Sequence, residues 1–167
     1  MKTLNVTLAA LAITALHLSD VNADNLQFTG NLQAPPGCTV SDRGGRIDVR
    51  FERNIAVNRI DGELYRQVIP AQIECPGAHD SSITWHMRLT LLGKHAHFDP
   101  AALNTSVNDL GIRVLLGGTP LRPNQPREVD LKTPNPPVLE AVPVKLTGAA
   151  LPATEFTASA LLIAELY

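Results

Sequence analysis

The sequence predicts an all-β sandwich. Three observations carry that expectation: short apolar–polar alternations of strand length recur along the chain, glycine and proline clusters separate them, and no convincing long helix competes. Thirteen prolines in 167 residues suit strands joined by turns, because proline breaks a helical hydrogen-bond ladder. Once the first residues are set aside the chain has ordinary single-domain size. Aromatic residues make up only 4%, so the core must rest on Leu, Val, Ile and Ala. A formal net charge of −2, with no Lys/Arg block, argues against nucleic acid or an anionic membrane surface as the main partner.

Met1-Lys2 supplies a small positive start, and the apolar run from Leu8 to Leu16 follows it. Val21-Asn22-Ala23 then offers the small or modest side chains that a signal peptidase reads. The apolar run falls short of the roughly 20 residues a membrane-spanning helix requires. The expectation is a signal peptide over residues 1–23, cleavage after Ala23, an exported mature chain and no membrane insertion.

The next segment reads as an amphipathic strand. Leu26, Phe28, Gly30 and Leu32 fall on one face, and Asn25, Gln27, Thr29 and Asn31 on the other. Ala34-Pro35-Pro36-Gly37 ends it, since no regular element tolerates that cluster. Pattern alone leaves two readings open: a first strand of the domain's own sheet, or a strand meant for another molecule. The chain divides accordingly into residues 24–34 and a domain over 35–167.

Cys38 and Cys75 are the two cysteines. In an exported chain they read first as one disulfide, and a zinc site would want more ligands at short paired spacings. Closing a loop of this length stabilises the fold by roughly 4 kcal/mol in the chain-entropy model.

Beyond Cys38 the alternation continues. Ile47, Val49 and Phe51 alternate with charged residues over 46–52, and Asp61-Gly62 marks a turn before a strand at 64–69 that runs on toward Cys75. A polar loop through His79 and Asp80 precedes a strand over 83–92, with Ile83, Trp85, Met87, Leu89 and Leu91 on one face. Residues 95–108 read as irregular, with at most a helical turn near Pro100-Ala101-Ala102-Leu103. Leu110 to Leu116 is the next strand, closed by Gly117-Gly118. A Pro-rich stretch at 119–137 follows, broken by a short β-like run at 127–131. Residues 138–146 read as a strand that tolerates Pro143 by lying at an edge or bulge. A long strand over 154–167 closes the chain.

Catalytic signals are missing from the sequence: it holds no nucleophile elbow, zinc-protease helix, phosphate-cradling loop or dinucleotide fingerprint. His95-Ala96-His97 would set two imidazoles on one strand face, half of a metal site. A closed zinc site needs four ligands, so the motif reads as a solvated loop. Asn104-Thr105-Ser106 matches a glycosylation pattern that is short and frequent by chance. The reading is a protein that is not an enzyme and carries no cofactor or metal.

The two ends taken together carry a family resemblance. Leu26-Gln27-Phe28-Thr29-Gly30-Asn31-Leu32, then Pro36 and Cys38-Thr39-Val40, resembles the start of mature chaperone–usher pilus subunits. The second cysteine closing a strand, the Leu110-Gly111-Ile112 run, and Phe156-Thr157-Ala158-Ser159-Ala160 ending in Tyr167 follow in the same order. The subunit class looks closest to minor tip-fibre or adaptor pilins of the P-pilus type. The Pro-rich stretch at 119–137 departs from the family's pattern.

That resemblance implies an incomplete immunoglobulin-like sandwich whose final strand is missing and supplied in trans. The donor strand would be Leu26, Phe28, Gly30 and Leu32. The groove strand would be Phe156, Ala158, Ala160, Leu162, Ala164 and Leu166, with Leu161 and Ile163 on its other face; pattern does not say which set lines the groove. The implied partners are a periplasmic chaperone that lends a strand and grips the carboxylate of Tyr167, an outer-membrane usher, and neighbouring pilus subunits. The implied location is a surface fimbrium of a Gram-negative bacterium. A pilus-terminating subunit with an obstructed groove, an adaptor, and a receptor-binding adhesin are the alternatives.

Overall fold

Apolar residues at every second position define the first layer of the domain. Met87, Leu89 and Leu91 are buried along β4 (Met87–Leu92) while Arg88 and Thr90 are half-buried on the opposite face. The computed structural model describes residues 26–42, 46–51, 54–78, 83–130 and 137–167. β4 pairs antiparallel with β10 (Leu161–Leu166) on one side and β8 (Arg127–Val129) on the other. The β10–β4 register sets Leu162, Ala164 and Leu166 beside Leu91, Leu89 and Met87. All six therefore share the inner face.

The second layer is a five-stranded sheet. Its order is β2 (Gln67–Val68), β9 (Leu139–Lys145), β6 (Leu110–Leu116) and β5 (Ala102–Asn104), with β7 (Thr119–Pro120) also on β6. Ile112, Val114, Leu116, Leu139 and Ala141 from this sheet meet Met87, Leu89, Leu91, Ala164 and Leu166 in one buried cluster, joined by the fully buried Leu121. Two sheets with one shared apolar core make a sandwich. A two-stranded ribbon of β1 (Thr39–Ser41) and β3 (Gln72–Glu74) packs Val40 and Ile73 on that cluster. Cys38 and Cys75, the next pair along this ribbon, are joined by a disulfide. Among the described residues the only helical element is a 3-10 turn at Val57–Arg59.

β6 and β9 are buried on both faces, which is why they read as almost unbroken apolar runs. Ala96, Phe98, Ala102 and Val144 cluster on the outer face, and Arg113 donates from Nε to Asp99 Oδ2 at 2.7 Å there. Gly62, at φ +87°, turns against the same face, where a Cβ would meet Val144 Cγ1 at 3.2 Å. The Asp61 carboxylate accepts the N–H groups of Glu63 and Leu64, which holds this turn and keeps its carboxyl below the usual range.

Several expectations change. Residues 46–51 pair into no strand, although Ile47, Val49 and Phe51 are half-buried and Arg46, Asp48 and Arg50 exposed. Alternation sorts side chains to two faces but does not supply a neighbour. The expected strand at 64–69 is reduced to β2, because Tyr65 takes a left-handed φ of 64° and Pro70 interrupts the run before β3. A strand replaces the irregular stretch at 102–104: β5 pairs with β6, and Gly111 permits the approach, since a Cβ there would meet Ala102 Cβ at 3.0 Å. β9 is an inner strand, not an edge. The Val138 carbonyl accepts from Gly117 and the Leu139 carbonyl from Ile69, so odd-numbered residues of β9 face β2. β2 pairs only with Ala141 and Glu140, so the N–H that Pro143 lacks would have pointed past its end. The last strand is shorter than 154–167, beginning at Leu161.

The chain divides into two units, Met1–Gln33 and Ala34–Tyr167. In the first, residues 26–33 belong to no helix or strand, and Leu26, Phe28 and Leu32 are exposed by 67%, 87% and 99%. The expected signal peptide and the polar loop at 79–82 lie outside the described residues.

Candidate functional site

Among the described residues the last strand pairs along one edge, with β4. The N–H and C=O of Tyr167 exchange hydrogen bonds with His86, and in an antiparallel ladder every second residue repeats that orientation. Odd-numbered residues of β10 therefore bond toward β4. The backbone groups of Leu162, Ala164 and Leu166 point to the opposite edge, where no strand is paired among the described residues. Ahead of the strand, Thr157 is held by its N–H donating to Ser106 Oγ and its carbonyl accepting from the Ser106 N–H.

Burial shows which set of β10 faces the core. Ala164 and Leu166 are buried in the core and Leu162 is half-buried against it. Leu161 and Glu165 are exposed on the other side. Phe156, Ala158 and Ala160 continue the inner set by period two. Phe156 is half-buried, packing on both the main cluster and a smaller one of Ile60, Val107 and Leu110. Ala158 and Ala160 are exposed despite sharing that face. Two small, exposed residues thus lie between the half-buried Phe156 and Leu162.

A segment that alternation marked but did not place packs near Phe156. Val49 and Phe51 pack on the main cluster beside Phe156 and Leu162. The Phe51 and Phe156 rings meet at 5.7 Å between centroids, tilted by 46°. This contact joins distant parts of the chain, and no local signal announces it.

The outer face of the same sheet is polar at its end. Glu165, Arg88 and Glu128 lie in one cross-strand row. Arg88 Nε donates to Glu165 Oε2 at 2.9 Å, and its guanidinium sits 5.5 Å from the centre of the Tyr167 ring. The Tyr167 hydroxyl donates to Glu128 Oε1 at 2.8 Å, and that bond raises its pKa above the ordinary phenol value. Beside it a depression of about 460 Å³ is lined by residues including Trp85, His86, Asp130 and Tyr167. These partners are scattered along the sequence, so only the cross-strand register reveals the cluster.

The other chemical motifs serve the fold. His97 Nε2 lies 2.8 Å from Asp109 Oδ1, and His95 Nδ1 lies 3.0 Å from the carbonyl of Ala96, so the two imidazoles have separate partners. No group of three His, Cys, Asp or Glu that could hold a metal occurs among the described residues. Asn104 donates to the carbonyl of its neighbour Thr105, whose buried hydroxyl bridges Val107 and Leu110.

The model of the fimbrial protein family matches residues 26–165. This chain belongs to that family. The fimbrial subunit is 33% identical over 161 residues to the fimbrial-like protein YfcQ of Escherichia coli (strain K12), covering 94% of each chain. It is 28% identical over 137 residues to the fimbrial-like protein YfcR of the same strain, covering 80% of this chain and 75% of that one. Among solved structures, the P pilus rod subunit PapA aligns at a TM-score of 0.52 with 18% identity, over 80% of this chain and 100% of that one. A subunit from a chaperone–usher pilus structure that addresses rod uncoiling aligns at 0.54 with 17% identity, over 85% and 94%. At such identities the likeness speaks for the fold: the all-β sandwich is the immunoglobulin-like pilin fold. The family is one of structural subunits, not enzymes.

Proposed function

We propose that this fimbrial subunit polymerises by strand addition into a surface pilus. Residues 1–23 direct export, residues 24–34 form the donor extension, and residues 35–167 form the pilin domain that receives a donor. A periplasmic chaperone first lies along Phe156, Ala158, Ala160 and Leu162 and contacts Tyr167; an outer-membrane usher then exchanges it for a neighbouring subunit's extension. Chaperone–pilin pairs are a standing example of this recognition mode, in which main-chain hydrogen bonds supply affinity and alternate side chains fill pockets.

The observation that carries the reading is the exposed, inward-facing pair Ala158 and Ala160 beside a strand edge with outward-pointing backbone groups. An apolar edge of this kind is an association site unless it is covered. The matching observation is the exposure of Leu26, Phe28 and Leu32. Burying three such side chains stabilises a complex by about 5–9 kcal/mol in area terms, before ordering costs.

The test adds a synthetic peptide of residues 24–33 to the purified chain beginning at Asp24. The expected result is saturable binding with a large rise in Tm. No binding and no shift at millimolar peptide would refute strand addition.

A further inference from the structure

The outer face of the β10–β4–β8 sheet is apolar in its middle. Leu161 and Leu92 are direct cross-strand partners, exposed by 59% and 39%. The next row holds Ile163 and Thr90, both half-buried. Alone, so small an apolar patch means little. What gives it meaning is the charge on either side.

On one side of the patch lies the row of Glu165, Arg88 and Glu128, with Asp130 a little further along the chain from β8. Three carboxylates and one guanidinium leave this end at −2. On the other side, past Leu92, Lys94 continues the outward set by period two and is exposed. Arg122 joins it: this exposed residue comes just before Asn124, whose side chain exchanges hydrogen bonds with the Gly93 backbone. Neither cation takes part in an ion pair among the described residues. Lys94 and Arg122 therefore leave this end at +2.

Arg88 and Leu92 stand about 13 Å apart along β4, and Lys94 lies beyond. That separation exceeds the Debye length of about 8 Å at physiological salt. Within one chain the two ends do little for each other.

A face that is positive at one end, negative at the other and apolar between is complementary to itself once a second copy is turned end for end, as a two-fold axis requires. Each cationic end then meets an anionic one, twice over. A parallel pairing would set like charge against like. We infer that the outer face of β10, β4 and β8 is a contact surface for a second copy of this chain, antiparallel to the first. The contact uses no backbone edge and is separate from strand addition.

Its size sets its strength. Three strands about 4.8 Å apart and six residues of about 3.3 Å each make a face on the order of 300 Å². A stable complex buries roughly 800 Å² per partner, so a single contact is weak. On the polymerisation reading above the face repeats with every subunit, and linked weak contacts reinforce one another. The surface thus fits side-by-side association of two fibres.

Two charge-reversed chains test the inference. Lys94→Glu with Arg122→Glu makes both ends negative, and Glu128→Lys with Glu165→Lys makes both positive. All four sites are exposed. Sedimentation of chains beginning at Asp24 is run at high protein concentration and low salt, with the peptide of residues 24–33 in excess. The wild type is expected to form weak dimers, and either variant alone to associate roughly 10-fold less or worse. Mixing the two variants restores association, because an all-negative face then meets an all-positive one. Should a variant fold poorly, the wild type still reports: its association weakens as salt shortens the Debye length from about 30 Å at 0.01 M to about 3 Å at 1 M.

A wild type that stays monomeric, or dimers indifferent to both salt and charge reversal, would overturn the inference. Dimers that form without the peptide and vanish with it would place the contact at the open edge of β10. That outcome would overturn the outer face while leaving strand addition standing.

Discussion

Replacing Phe28 by alanine separates the two places where that ring can matter. Phe28 is 87% exposed in the isolated chain. Removing it should leave the chain's own unfolding free energy within about 0.5 kcal/mol of the wild type, as for surface substitutions generally. In a fibre or peptide complex of the kind proposed above, the same ring would be buried against the last strand of another subunit. Truncating a buried Phe to Ala costs about 3–5 kcal/mol. Taking the lower end for a groove one strand wide, about 3 kcal/mol corresponds to roughly 150-fold in Kd. Thermal and urea unfolding of the chain beginning at Asp24 measures the first quantity, and isothermal titration with wild-type and Phe28→Ala peptides measures the second. A chain destabilised by more than about 1 kcal/mol alongside an unchanged peptide affinity would refute the reasoning, since it would assign the ring to the chain's own core.

Three further outcomes follow from the domain itself. Replacing Cys38 and Cys75 together by serine should lower stability by about 4 kcal/mol, the entropy of closing a loop between residues 37 apart, read as a fall in the urea midpoint against the oxidised wild type. Leu89→Ala removes a side chain that is 1% exposed between the two sheets and should cost about 2–5 kcal/mol; a loss below about 1 kcal/mol would mean that the layers close over the gap. The raised phenol pKa of Tyr167 means the folded chain holds that proton more tightly than the unfolded one. Its contribution to stability is present below the unfolded phenol's pKa and lost as pH climbs through the folded value. Titrating phenolate absorbance in a Tyr65→Phe background, Glu128→Gln should bring the Tyr167 midpoint down; an unmoved midpoint would remove Glu128 as the cause.

The sequence by itself determined a good deal of this protein, wherever the information is local and periodic. β6 appears over the residues where apolar character runs unbroken, because a strand buried on both faces leaves no polar position to interrupt it. β4 appears through its alternation, and the pairing of Cys38 with Cys75 through their count and the expectation of export. The ends of the chain carried the family, through an alternating segment before the first cysteine and another before Tyr167.

Only the tertiary structure decided which neighbour each strand took. Residues 46–51 alternate as cleanly as β4 yet join no strand ladder among the described residues, while Ala102-Leu103-Asn104, with little strand character, pairs with β6. Pro143 reads as an edge residue and lies in an inner strand, because the strand beside it stops short. Ala158 and Ala160 read as either core or pocket, and the structure leaves both exposed. The meeting of Phe51 with Phe156 depends on how two distant segments flank the same open edge. Periodicity in a sequence states which side chains share a face. It cannot state what lies across from that face, because that depends on chain that arrives from elsewhere or, as proposed for this edge, from another molecule.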